Sequence, residues 1–126
     1  MASIQIRTIL SPFPASVGAA RRFVRDVLMS RMVRTGVVDT VELLTSEVVT
    51  NALVHARSAP ELLVDVRPDV VRVEVFDMSA DEPVLQPHNP ESASGRGIAI
   101  VEELAAGWGV ELVPEDGKRV WFEVRT

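Results

Sequence analysis

Glu47, Asn51 and His55 are spaced at i, i+4 and i+8, so on a helix they stack along one face. Their neighbours are strongly apolar: Val41, Leu43, Leu44, Val48, Val49, Ala52, Leu53 and Val54. A helix that is apolar nearly all round is a buried helix. A carboxylate or amide on it is costly unless it is paired or faces a polar site. Glu47 and Asn51 therefore either reach solvent or a neighbouring loop, or they carry chemistry. A carboxylate can orient or deprotonate an attacking hydroxyl or water. An amide oxygen is a hard ligand for Mg²⁺, which takes its other ligands from waters and phosphates.

Asp77 ends the alternating run Val71-Arg72-Val73-Glu74-Val75-Phe76, at a strand end where sites gather. An aspartate there is either a turn former or, facing a pocket, an acceptor for the exocyclic amine of adenine. Guanine places a carbonyl at that position and would be repelled. Ser94-Gly95-Arg96-Gly97 precedes a helical pattern. Glycines let backbone amides approach phosphate oxygens, and a helix N-terminus adds a favourable dipole. A plain flexible turn is the alternative. No Gly-Lys-Ser/Thr follows, so this is not a Walker loop, and the glycine pattern is too short for a dinucleotide fingerprint.

These residues need elements to position them. Ile4, Ile6, Thr8 and Leu10 alternate with mostly polar neighbours, which predicts an opening strand. From about Ala15 to Met32 apolar residues recur at helical spacing with arginines opposite, and Gly36 closes the segment. A second helix is expected from Asp39, with Glu42 completing a capping box, to about Ala56. The strands Glu61–Arg67 and Val71–Asp77 flank the turn Pro68-Asp69, as in a hairpin. Residues 78–94 carry Pro83, Pro87 and Pro90; a loop of that length usually serves as a lid or binding loop. A third helix opens near Gly97 and stops at Gly107. Two strands, about Gly109–Val113 and Arg119–Arg125, close the chain. The order β-α-α-β-β-loop-α-β-β predicts an α+β, two-layer sandwich.

The 126 residues fit one domain, and no stretch is long and apolar enough to span a membrane. No signal peptide is visible, and a cytoplasmic location is expected. The absence of cysteine excludes disulfides and thiolate zinc sites. A net charge of -5 argues against direct nucleic-acid binding. Lys118 is the single lysine among 13 basic residues.

Taken together and in order, these segments resemble the GHKL ATPase superfamily of gyrase, histidine kinases, a heat-shock chaperone and mismatch-repair ATPases. Glu47-Val48-Val49-Thr50-Asn51-Ala52-Leu53-Val54-His55-Ala56 is similar to its N box. Asp77-Met78-Ser79 with Pro83 resembles the first glycine box, and Gly95-Arg96-Gly97-Ile98-Ala99-Ile100-Val101 the second. Trp108-Gly109-Val110 and Gly117-Lys118-Arg119-Val120-Trp121-Phe122 resemble the closing strands. The small size is similar to the stand-alone anti-sigma-factor serine/threonine kinases.

The resemblance implies a Bergerat-type ATP-binding fold, a mixed sheet covered on one face by about three helices. It implies ATP and Mg²⁺ as ligands. Glu47 is then the general base, Asn51 the Mg²⁺ ligand and Asp77 the adenine selector. Ser79 and Pro83 line the base pocket. Gly95, Arg96, Gly97 and Ile98 approach the phosphates under a lid at 78–94, and His55 and Arg57 lie towards them. The expected partner is a protein, a sigma factor or its antagonist, phosphorylated or sequestered; a homodimer is compatible. A catalytically silent ATP-binding module and a detached histidine-kinase subunit are the other readings. Ser79 and the residues after it lack the glycines of the fuller first box. Arg119 stands where such proteins often have the threonine of a water-mediated base contact.

Overall fold

The computed structural model describes residues 3–55, 59–77, 93–113 and 117–126. The elements run β1 (Ile4–Ile9), α1 (Ser16–Ser30), α2 (Thr35–His55), β2 (Glu61–Val66), β3 (Val70–Asp77), α3 (Ala93–Leu104), β4 (Gly107–Val113) and β5 (Gly117–Arg125). The strands form one sheet in the order β1-β2-β3-β5-β4. Helices cover one face, which gives the expected two-layer α+β sandwich.

All four ladders among the described residues are antiparallel, where a mixed sheet was expected. The reason is topological. β3 and β4 run in the same direction across the α3 crossover, but β5 returns from β4 and inserts between them.

The core follows from period-2 burial meeting helical stripes. Val71, Val73 and Val75 of β3, with Val120 and Phe122 of β5, turn towards the helices and are almost fully buried. Against them pack Val38, Val41, Leu44, Val49 and Ala52 of α2 and Ala20, Val24 and Leu28 of α1. The other sheet face carries charges, as a one-sided antiparallel sheet does. There Arg72 lies 4.2 Å above the Trp121 ring and pairs with Glu74 at 2.8 Å. Gly109 faces Trp121 in register, and a Cβ at Gly109 would stand 2.8 Å from the indole Nε1. No helix among the described residues is long and apolar enough to cross a membrane.

Three helix boundaries depart from expectation. α1 ends at Ser30, before Gly36, because Met32 takes φ 60 and turns the chain. The amide of Val33 donates to the Leu28 carbonyl at 3.1 Å and that of Met32 to Met29 at 3.1 Å. This is a Schellman cap with methionine in the usual glycine place. α2 begins at Thr35, so Asp39 is not a cap. Val37 and Val38 are buried in the core, which holds the added turn. Arg25 of α1 binds Glu42 at 3.0 Å and lies 3.6 Å from Asp39, tying the helices together instead. α3 begins at Ala93, ahead of Gly97. α2 is also less enclosed than its composition implies, since Leu43 is 40% and Val54 64% exposed.

Phe122 is the largest apolar side chain with no exposure. Phe122→Ala is expected to lower stability by about 3–5 kcal/mol, read as an earlier chemical-denaturation midpoint with unchanged slope. A loss under about 1 kcal/mol would mean that the surrounding valines collapse into the space.

Candidate functional site

The strand registers place one end of the sandwich. Phe76 pairs with Glu61, the first residue of β2, which follows shortly on the end of α2. Asp77 pairs with Lys118, and Val113 with Gly117. At the opposite edge Gly107 pairs with Glu123, so α3, which leads into β4, starts near Asp77. The last turns of α2, the end of β3, the start of β5 and the N-terminus of α3 therefore share one end. The expected residues Glu47, Asn51, Asp77, Gly95 and Gly97 belong to these segments.

Asn51 is only 3% exposed, and neither its amide nitrogen nor its oxygen finds a hydrogen-bond partner among the described residues. Among the described residues it reaches neither solvent nor a bonding partner. Buried amides are normally bonded, and an unmet one costs about 1–3 kcal/mol. A cation or another ligand at the oxygen offsets that penalty. Glu47, one turn earlier, is half-buried, and burial raises its carboxyl above the usual carboxylate range. A raised carboxylate suits proton acceptance near neutral pH.

Asp77 is fully buried and continues the helix-facing parity of Val71, Val73 and Val75. Across the ladder, Lys118 is also fully buried, with its Nζ 3.9 Å from Asp77 Oδ2. That separation is an ion pair and is too long for a hydrogen bond. Lys118 was not expected in the site. The signal was available: it lies two and four residues before the inward Val120 and Phe122, and it is the only lysine. Arg119, which stands where such proteins often have threonine, projects from the other face, where it meets Glu74 at 3.0 Å and Glu111 at 3.0 Å. The residue opposite Asp77 is Lys118.

Gly95 and Gly97 lie inside α3, not ahead of it. The amides of Ala93, Ser94 and Gly95 are those a helix leaves unbonded, whereas that of Gly97 falls in the helical ladder. The first turn thus holds the unbonded amides, and Gly97 and Ile98 continue the helix. His55 is the last residue of α2. Arg57, Ser79, Pro83 and the expected lid up to residue 92 lie outside the described residues. A cleft of about 320 Å³ bordered by Arg31, Arg34, Arg67 and Thr126 lies at the opposite end of the sheet.

Residues 10–123 match the family described as the histidine kinase-like ATPase domain. The chain belongs to that family. A search of curated proteins finds no match to the sequence. A histidine kinase-like ATPase domain implies nucleotide binding, and the residues present fit such a ligand. Buried Asn51 offers an unmet oxygen, Asp77 and Lys118 offer an acceptor beside a donor, and α3 begins at the same end.

Proposed function

We propose that this chain is a single-domain regulatory protein that binds Mg-ATP between α2, the Asp77–Lys118 end of β3 and β5, and the start of α3, and phosphorylates a serine or threonine on a protein partner. Such a partner is a sigma factor or the antagonist that releases one. The observation that carries the reading is Asn51, a buried amide with no hydrogen-bond partner among the described residues, one helical turn from a carboxyl whose proton affinity burial has raised. In this reading Asn51 and the phosphates hold Mg²⁺, which neutralises charge on the transferred group. Asp77 accepts the adenine amine. Glu47 accepts the proton of the attacking hydroxyl. The first turn of α3 presents free amides to the phosphates. The long buried α2 keeps Glu47 and Asn51 in fixed relation, so positioning supplies much of the effect.

Calorimetry with Mg-ATP is the first test, and Asp77→Ala the variant. Loss of a charge-assisted hydrogen bond in a buried pocket lowers affinity by roughly tenfold to a hundredfold. Unchanged affinity in a folded Asp77→Ala protein would remove Asp77 from the site. Capture of partners with and without Mg-ATP, followed by radiolabel transfer, then separates a kinase from a module that only holds its partner.

A further inference from the structure

Lys118 is a second residue of this site whose polar group is buried and unmet among the described residues. Its side chain has no solvent exposure, and its Nζ makes no hydrogen bond among the described residues. Among the described residues its charged neighbour is Asp77, at 3.9 Å. A buried ammonium has three hydrogens to place, and leaving them unmet is expensive. The register makes the arrangement deliberate. Lys118 and Asp77 are direct partners on β5 and β3, both on the helix-facing side that otherwise holds Val73, Val75, Val120 and Phe122. A donor and an acceptor thus stand side by side, held by rigid strands, at the end where Asn51 and the α3 N-terminus converge.

We propose that Lys118 is a base-reading residue, donating a hydrogen bond to a ring nitrogen of adenine while Asp77 accepts from the adjacent exocyclic amine. The assignment rests on the nucleotide reading above. Adenine is suited to such a pair because its amine is flanked by ring nitrogens that accept, N1 on one side and N7 on the other. A carboxylate alone can read only the amine. An ammonium beside it reads the neighbouring acceptor as well, and the bound base completes the ammonium's hydrogen bonding. Arg119 takes no part, since its guanidinium is engaged with Glu74 and Glu111 on the opposite face. Lys118 acts here on binding and orientation of the base, not on the transferred phosphoryl group.

The test uses ATP, 1-deaza-ATP and 7-deaza-ATP, each with Mg²⁺, measured by calorimetry on the wild-type chain and on Lys118→Met. The analogues keep the amine and replace one ring nitrogen by C–H. In the wild type, one of the two analogues is expected to bind roughly ten times more weakly than ATP or worse. In Lys118→Met, ATP weakens by a similar factor and the difference between ATP and that analogue disappears. The readout is a ratio within each protein, so a general loss of stability does not imitate it. Should removal of the ammonium beside buried Asp77 prevent folding, the double variant Asp77→Asn/Lys118→Met, which removes both charges, gives the same comparison. Equal binding of all three nucleotides by the wild type overturns the assignment. So does an analogue penalty that persists without Lys118. No binding of ATP by the wild type withdraws the nucleotide reading, and this assignment with it.

Discussion

Glu47→Gln is expected to leave Mg-ATP affinity nearly intact while slowing transfer to the partner by about 10²–10⁴, the usual contribution of a positioned general base. The side chain keeps its size and its place on α2, so binding and fold are preserved while proton acceptance is lost. The same assignment fixes a pH dependence. Burial raises the Glu47 carboxyl, and only its ionised form accepts a proton. The acid limb of the transfer rate should therefore lie above the ordinary carboxylate range and rise to a plateau with increasing pH. In Glu47→Gln that limb should vanish from whatever rate remains. For stability the sign is opposite. A carboxyl raised on folding holds its proton more tightly in the native state. Its contribution is greatest below its unfolded value and is lost as pH rises through the folded value. Full transfer by Glu47→Gln would sink the general-base role. Tight ATP binding by the wild type with a captured partner and no transfer would instead make ATP a conformational ligand.

Asn51→Ala should abolish transfer and weaken Mg²⁺-dependent ATP binding by at least the roughly 10–100-fold seen for changes one shell further from a metal. Its effect on the free protein runs the other way. Both polar atoms of the Asn51 side chain are buried and unmet among the described residues. Removing them takes away a desolvation penalty of about 1–3 kcal/mol, against the packing lost with a small side chain. The melting temperature without nucleotide should stay level or rise, and the stabilisation that Mg-ATP gives the wild type should disappear. Paired thermal melts, with and without Mg-ATP, measure both effects. A nucleotide-free variant that melts well below the wild type would mean that Asn51 serves the fold rather than a ligand.

The sequence by itself was enough for the hairpin of β2 and β3, whose alternation and Pro68-Asp69 turn are local signals, and for the existence of both long helices. It also placed Glu47 and Asn51 on adjacent turns of one helix, because that follows from a spacing of four. What only the tertiary structure decided was where elements end and which way their side chains face. Met32 stops α1 because Val33 and Leu28 reach the core together, which no glycine announced. Val37 and Val38 carry α2 back to Thr35 because the core offers them burial, overriding the Asp39 and Glu42 signal. The sheet lost its expected mixed character because β5 inserts between β3 and β4, a choice made by long-range pairing. The same pairing put Lys118 opposite Asp77 and turned Arg119 to the other face. In a strand, a shift of one residue moves a side chain to the other face, so local pattern identifies the candidates, and only the register with β3 says which one enters the site.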